Sequence, residues 1–211
     1  MTTQAHVFAA ICVGLAAIVS AQEQGVVAGP QPDPFLEVLR TRAAGERRVI
    51  LVSRTHSRLR YYEGGALIAD YEVAFGQADG AKELRGDLKT PRGSYHVLHK
   101  SKGPFSGDFK DFYGGHWIKL NYPGAVDAER GEDAGLLTRA QANAIRVSFS
   151  SRAPTDEKTR LGGGIGFHGW NGDWTAEDGG TRLSWGCIVL HNADIERLYP
   201  RIQPGTLVVI F

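Results

Sequence analysis

The sequence predicts an α+β domain that is mostly β, built as a sheet or small sandwich with a few short helices. Three observations support this fold class. Short runs of β-branched and aromatic residues recur along the chain, glycine-containing turns separate them, and only two or three segments show helical spacing. Glycine accounts for 27 of the 211 residues, which is well above its usual share and typical of a chain with many turns.

The predicted strands begin at about residue 47 and continue to the C-terminus. Glu63–Gly65 separates two strand-like runs and predicts a hairpin, because glycine supplies the positive φ angles of tight hairpin turns. A turn is predicted at Thr90–Gly93, and Pro123 follows the end of a strand because proline has no N–H for a sheet. The other strands are predicted at residues 47–53, 94–99, 117–120 and 205–211.

Three segments are predicted to be helical. Phe35–Ala43 has apolar residues at helical spacing. Thr138 and Gln141 form a capping-box pattern, which predicts a helix from Thr138 to about Ser148. Asn192 is predicted to be the N-cap of the last helix, whose first turn carries acidic residues.

The chain is predicted to have three parts: a signal peptide at residues 1–21, a linker with a short helix at 22–46, and one domain at 47–211. Val7–Ser20 is an apolar run, and small residues follow up to Ala21, as at a cleavage site. The run is shorter than the about 20 residues of a bilayer-spanning helix. We therefore expect export to the periplasm or another extracytoplasmic compartment, with no stable membrane span after removal of the leader. The first six residues contain no Lys or Arg, so an uncleaved anchor stays open as an alternative.

The charge of the chain is nearly balanced, with 24 basic and 23 acidic residues and a formal net charge of +1. This balance argues against nucleic acid as the main partner, because no basic excess is available to bind phosphates. The basic segment Lys82–Lys110 is interpreted as a solvated surface.

Cys187 is the only cysteine left after removal of the leader, since Cys12 lies inside the apolar run. A lone cysteine is most often a small buried apolar residue, but a single thiol in an exported protein also indicates a reactive group. Gly186 permits a tight turn that aims backbone N–H groups at one point, as an oxyanion site requires. His168 could accept the thiol proton, because an imidazole has a pKa of about 6.5. These residues alone leave a packing residue, a metal ligand and a nucleophile as alternatives.

A metal site formed by Cys187 and His191 is disfavoured. Their spacing would suit one face of a helix, but Asn192 is predicted to cap the following helix, which places His191 before it. Zinc sites in proteins have denser ligand clusters than this sequence offers. We therefore expect neither a metal nor another cofactor.

Two further patterns surround the histidine and the cysteine. His168-Gly169-Trp170 is followed by the run S-W-G-C-I-V-L, which begins at Ser184. Upstream of both lies the stretch G-D-L-K-T-P-R-G-S-Y-H-V, which begins at Gly86. The first pattern resembles the His-Gly … Ser/Thr-x-Gly-Cys signature of the L,D-transpeptidase catalytic domain, the YkuD-type fold. The second resembles the Lys-Thr-Pro-x-Gly-x-Tyr stretch of the same domain. The stretches L-N-Y-P-G-A-V-D and G-G-G-I-G-F-H-G-W also resemble its periplasmic murein-processing branch. The resemblance covers residues 47–211 and implies the fold of that family.

The resemblance implies a mechanism. Cys187 would attack the carbonyl of a bond between an L- and a D-centre in a peptidoglycan stem peptide and form a thioester. His168 would act as the base, and the carbonyl of Gly169 would orient its ring. Backbone N–H groups of Trp185, Gly186 and Cys187 would form the oxyanion hole. The acyl group would pass to an amine, in cross-linking or in anchoring a wall-linked protein, or to water.

Four residues are predicted to contact the substrate. Ser184 and Trp170 belong to the motifs, while Arg182 and Lys119 are assigned by charge alone, as partners for the carboxylates of stem peptides.

Two positions depart from the family pattern. Many members have a second histidine at the position of Trp185 and an Arg or Asn at that of Val189; both positions are expected to touch the substrate side. The acyl acceptor is therefore left open, and three functions are considered. The first is a transpeptidase in cell-wall cross-linking or remodelling, the second an L,D-hydrolase (a carboxypeptidase, or an amidase that releases wall-linked protein), and the third a non-catalytic wall-binding module.

Overall fold

The computed structural model describes Met1 and residues 32–107, 110, 113–176 and 180–211. The predicted signal peptide after Met1 and the first part of the predicted linker, residues 22–31, lie outside these residues. None of the helices in the described ranges has the length and apolar character needed to cross a bilayer.

One large sheet organises the folded unit, which extends from Pro32 to Phe211. The strands are β1 (Arg48–Ser53), β2 (Arg58–Glu63), β3 (Ala66–Glu72), β4 (Phe75–Gly76), β5 (Gly93–Lys102), β6 (His116–Leu120), β7 (Gly166–His168), β8 (Arg182–Ser184), β9 (Ile188–Val189) and β10 (Leu207–Ile210). The helices are α1 (Pro34–Arg42), α2 (Ala125–Asp133), α3 (Arg139–Ser150) and α4 (Asn192–Leu198). Eight strands form the large sheet in the order β3-β2-β1-β10-β5-β6-β7-β9, and β4 pairs with β8 in a small second sheet. The prediction of a mostly β domain with short helices is confirmed.

Helices cover the centre of the sheet on both faces. Ile50 of β1 belongs to the main core together with Ile195 of α4, whereas its neighbour Leu51 packs in a second core with Phe35 of α1. Successive side chains of a strand point to opposite faces, so a strand covered on both sides has a continuous apolar run. This is the reason why residues 48–53 do not alternate between polar and apolar.

Several predicted elements are present. The hairpin between β2 and β3 turns at Gly64 and Gly65, which both have positive φ angles, of 59° and 82°. Helix α3 begins after Thr138, whose side chain accepts a hydrogen bond from the N–H of Gln141, while the Gln141 side chain accepts one from the Thr138 N–H. The predicted capping box is therefore confirmed. Helix α1, predicted at Phe35–Ala43, packs on the sheet through Phe35.

Helix α2 is absent from the sequence-based prediction. Its inward face carries the buried Asp127, whose carboxylate accepts hydrogen bonds from the N–H of Gly124 and the hydroxyl of Tyr95, at 2.9 and 3.0 Å. A charged residue and Gly131 on the buried side of a short helix hide the apolar spacing by which helices are recognised.

The prediction that Asn192 caps the last helix is wrong. Helix α4 begins at Asn192, and His191 is its N-cap residue. The side-chain oxygen of Asn192 accepts a hydrogen bond from the backbone N–H of Trp170 at 2.9 Å, so it joins two segments instead of capping its own helix.

Candidate active site

Two neighbouring parallel strands carry His168 and Cys187. His168 ends β7, and Cys187 directly precedes β9, with Phe167 paired to Ile188 in the register between them. Phe167 and Ile188 face the main core. Because side chains alternate along a strand, those of His168 and Cys187 point together to the other face of the sheet.

Both residues line one cavity of about 650 Å³. This size suits a peptide-sized ligand. The wall also carries three consecutive glycines at 162–164, aromatic side chains and two cationic ones. The lining also includes Lys82, Arg85, Leu88, Tyr113, Trp170, Ser184 and Trp185.

The ring of His168 is held in one orientation. Its Nδ1 lies 2.6 Å from the carbonyl oxygen of Gly169. A carbonyl can only accept, so Nδ1 carries the hydrogen, and in the neutral ring Nε2 is left able to take up a proton. The ring is buried and packs against Tyr113 and Trp117, with centroids 5.2 and 6.1 Å away. This contact with Gly169 is the one that the family resemblance implies.

The thiol of Cys187 is protonated at rest. The residue as a whole is only half-buried, but its sulfur sits deep enough that burial raises its pKa to about 11. A hydrogen bond from the backbone of Gly166 and the charge of Lys82 act in the opposite direction without overcoming burial. The thiol donates a hydrogen bond to the carbonyl oxygen of Gly164, with 3.4 Å between the sulfur and the oxygen. A nucleophilic attack by this sulfur therefore requires a base that removes the proton during the reaction.

Ser184 shapes the turn that leads to the cysteine. Its hydroxyl donates to the carbonyl of Cys187 at 2.6 Å and accepts from the N–H of Gly186 at 3.1 Å. Gly186 has a φ of 133°, and a Cβ there would come within 2.7 Å of the carbonyl oxygen of Lys89. Only glycine fits this position.

This geometry corrects one predicted role. The N–H of Gly186 was expected to serve the oxyanion hole, but it donates to Ser184 inside the turn. The backbone N–H groups of Trp185 and Cys187 stay predicted oxyanion donors.

The upstream Lys-Thr-Pro motif packs against the same turn through the segment that contains Gly76. The wholly buried Thr90 accepts a hydrogen bond at its hydroxyl from the N–H of Gly76, at 2.9 Å. A Cβ on Gly76 would lie 2.2 Å from the carbonyl oxygen of Leu88 and 3.1 Å from Cα of Gly186. The sequence alone predicts no site residue in this motif, because its close packing under Gly186 depends on the tertiary structure.

The predicted substrate-binding residues divide into two groups. Trp170 and Ser184 line the cavity. Arg182 and Lys119 do not: Arg182 pairs with Asp79 at 2.6 Å on the exposed surface, and Lys119 pairs with Glu157 at 2.7 Å. Their assignment rested on charge alone, which does not report the direction of a side chain.

The cations that line the cavity are Lys82 and Arg85. Both fall in the basic segment Lys82–Lys110 that the sequence analysis interprets as a solvated surface. That interpretation is wrong for Lys82, which is 4% exposed.

The two departures from the family pattern lie in different surroundings. Trp185 lines the cavity and is 63% exposed, as expected of a residue on the substrate side. Val189 is fully buried against Ala74 and Trp174, so the expectation that it touches substrate is wrong.

His191 lies in a contact of its own, away from the cavity lining. Its ring stacks on Trp174 with centroids 4.1 Å apart, and its Nε2 is 3.3 Å from a carboxylate oxygen of Glu72. Within the described ranges, no group of three or more His, Cys, Asp or Glu side chains is arranged to hold a metal ion.

The fold and the site define a class: a mostly β domain that presents a histidine and a cysteine from adjacent strands to one peptide-sized cavity. The model of the YkuD family, the L,D-transpeptidase catalytic domain, matches residues 47–210. The chain belongs to this family.

Known proteins similar to this chain include one enzyme and two solved structures. The probable L,D-transpeptidase YcfS of Escherichia coli (strain K12) is 30% identical over 168 residues, which are 78% of this chain and 44% of YcfS. The structure of Bdellovibrio bacteriovorus Bd1075 has 26% identity and a TM-score of 0.51 over 78% of this chain and 48% of that one. A variant of the helical cell shape determining protein Pgp2 from Campylobacter jejuni has 25% identity and a TM-score of 0.50, over 77% and 46%. The chain thus spans about half the length of these relatives.

Proposed function

We propose that this chain is a peptidoglycan L,D-transpeptidase that acts through a thioester on Cys187. Membership of the YkuD family supports the reaction class. The observation that carries the proposal is the His168 ring: its Nδ1–H is held by the Gly169 carbonyl, and it shares a cavity with the Cys187 thiol. A fixed base beside a protonated thiol is the arrangement that nucleophilic catalysis by cysteine requires.

In the first half of the reaction, Nε2 of His168 takes the thiol proton while Sγ attacks the carbonyl carbon of the bond between the L- and D-centres. The C–S bond forms, the C–N bond of the donor breaks, and His168 returns the proton to the departing amine. Backbone N–H groups of Trp185 and Cys187 stabilise the tetrahedral oxyanion. In the second half an acceptor amine attacks the thioester, His168 removes its proton, and the thiol is restored.

The proposed donor is a peptidoglycan stem peptide, and the acceptor an amine of a second stem or of a wall-linked protein. The cavity suits such a donor because Trp170 and Trp185 offer apolar surface, while the exposed Arg85 supplies positive charge toward carboxylates. We further propose that the protein works outside the cytoplasm, where the cell wall lies and to which the sequence of the leader predicts export.

The test is incubation of the purified protein with muropeptides and an amine acceptor, followed by mass analysis. We expect a covalent adduct on Cys187 and exchanged or cross-linked products, and we expect Cys187→Ser to abolish both. Ser150→Ala, which changes an exposed hydroxyl on α3, serves as the control and keeps full activity. Normal turnover by the folded Cys187→Ser protein would contradict the proposal.

Hydrolysis on the same site is the second candidate. It is favoured by the exposed Trp185, which stands on the cavity wall where many family members have a histidine. In the same assay, products derived only from water in the presence of excess amine would identify a hydrolase. A non-catalytic wall-binding module would instead bind muropeptides without any adduct and with a thiol inert to alkylating reagents.

A further inference from the structure

A buried ion pair lies at the wall of the cavity that His168 and Cys187 share. Lys82 is 4% exposed, and its ammonium donates to a carboxylate oxygen of Asp87 and to the carbonyl of Leu84, both at 2.8 Å. Lysine is rarely buried to this degree, because removing an ammonium from water is costly. This lysine lines the candidate active site and not the main core.

Asp87 holds the ammonium in a rigid frame. Besides Lys82, it accepts hydrogen bonds from the N–H groups of Glu83, Leu84 and Lys89, at 2.7, 2.9 and 3.1 Å. Burial raises the pKa of Asp87, but these hydrogen bonds lower it by more. The pKa of Asp87 therefore lies below its ordinary value. The carboxylate is therefore ionised at neutral pH, and the position of the Lys82 charge is set by a loop with little freedom.

The same loop is joined to the turn of the nucleophile. The backbone of Lys89, which bonds to Asp87, lies against Gly186, where an added Cβ would meet the Lys89 carbonyl. The positive charge of Lys82 acts on the thiol of Cys187 and lowers its pKa against the larger effect of burial. The frame thus holds a cation at the wall of the cavity that the sulfur shares.

Three other ionisable groups share the cavity with Cys187. His168 is the base, with its Nδ1–H bound to a carbonyl. Tyr113 is neutral at physiological pH, because burial and the nearby Cys187 raise its pKa. The guanidinium of Arg85 is bound to the carbonyls of Glu157 and Thr159. Lys82 differs from Arg85 in being buried and paired with a carboxylate at the wall of this cavity.

We propose that Lys82 is a positioning residue of the active site, whose ammonium, fixed by Asp87, stabilises the negative charge that develops on Cys187 Sγ when His168 removes the proton. In a poorly hydrated site, a fixed charge near a reacting atom is worth more than in water and needs no rearrangement during the reaction. The inference rests on the proposed function only in taking Cys187 as the nucleophile.

The test follows ionisation of the thiol directly, by its alkylation rate with iodoacetamide between pH 7 and 9, where the rate is proportional to the small thiolate fraction. Lys82→Met removes the charge and keeps the length of the side chain. We expect alkylation at pH 8 to slow about tenfold, since loss of a nearby opposite charge raises a thiol pKa by about one unit. Lys82→Arg keeps the charge and stays within about twofold of the unmodified protein. Lys158→Met, a change at an exposed lysine, is the matched control and has no effect.

Asp87→Asn gives a result of opposite sign. Removing the carboxylate leaves the ammonium uncompensated, so the pKa of the Cys187 thiol falls and its alkylation at pH 8 becomes faster. If the ion pair were merely structural, its loss would loosen the loop in both variants and shift the pKa of the Cys187 thiol in the same direction. If Lys82→Met does not fold, as judged by thermal unfolding, Asp87→Asn carries the test alone. A folded Lys82→Met protein that titrates as the unmodified one, or an Asp87→Asn protein without a downward shift, overturns the inference.

Turnover of muropeptides, measured in parallel, separates this inference from the proposed function. If Lys82→Met shifts the thiol but the unmodified protein never processes muropeptides, the proposed function fails and the role of Lys82 stands. If turnover depends on Cys187 but the thiol is indifferent to Lys82, the inference fails and the function stands.

Discussion

At the scale of single residues, the main feature is that the proposed nucleophile is neutral at rest. Burial raises the pKa of Cys187 to about 11, so at neutral pH the thiolate is a very small fraction of the population. In the proposed mechanism His168, with its tautomer set by the Gly169 carbonyl, takes the proton only when substrate is attacked. A buried thiol of this kind resists unproductive oxidation better than a preformed thiolate, because oxidation follows thiolate character and exposure.

Ser184 gives the residue-scale prediction. Ser184→Ala removes the acceptor of the Gly186 N–H and the donor to the Cys187 carbonyl, so the turn that carries the nucleophile loses both side-chain hydrogen bonds. We expect kcat/KM on muropeptides to fall by at least about tenfold, because small displacements of reacting groups are costly. We expect the free energy of unfolding, measured in denaturant, to fall by about 1–3 kcal/mol. Unchanged kinetics would show that the turn keeps its shape without this hydroxyl.

At the scale of elements, the candidate site is positioned mainly by short strands and turns and not by the helices. Strands β7 and β9 contain only three and two residues, yet their parallel pairing puts His168 and Cys187 on one face. The capping box of α3 and the hairpin at Gly64 and Gly65 could be predicted because their signals are local. Helix α2 could not, because Asp127 on its buried side is stabilised in part by the hydroxyl of Tyr95, which is distant in the chain.

Thr90 gives the element-scale prediction. Thr90→Val keeps the shape of the side chain but leaves the buried N–H of Gly76 without its acceptor. We expect the free energy of unfolding to fall by about 1–3 kcal/mol, with a loss of activity, since the segment below Gly186 is loosened. Thr41→Val, a change on the exposed face of α1, is the control and is expected to change stability by less than about 0.5 kcal/mol. Equal stabilities of the two variants would argue against a supporting role for Thr90.

At the scale of the whole folded unit, the sheet is covered on both faces, and α1 supplies part of that cover. Residues 22–46 are predicted to form a linker with a short helix; within them, Phe35 is 2% exposed and packs against Phe211 with ring centroids 5.4 Å apart. Arg60 of β2 lies over the same ring at 4.2 Å and pairs with Asp33 at 2.6 Å. This helix is part of the folded unit.

Phe35 and its neighbour Leu36 give the prediction at this scale. Phe35→Ala is expected to lower the free energy of unfolding by about 3–5 kcal/mol, the usual cost of emptying an aromatic site in a core. Leu36 is 46% exposed on the same helix, so Leu36→Ala is expected to cost less than about 1 kcal/mol. Chemical denaturation of both variants checks this. Similar small losses in the two would mean that α1 is only loosely attached.

The sequence by itself determined the class of fold, the family, and the pair His168 and Cys187, because these depend on patterns that are contiguous in the chain: apolar runs, glycine turns and two short motifs. Only the tertiary structure decided which other side chains reach the cavity. Lys119 and Arg182 are directed to acidic partners elsewhere, Val189 is buried, and Lys82 enters the wall of the cavity instead. The reason is physical: the charge of a residue can be read from its letter, but its direction and its partners are set by packing between segments that are distant in sequence.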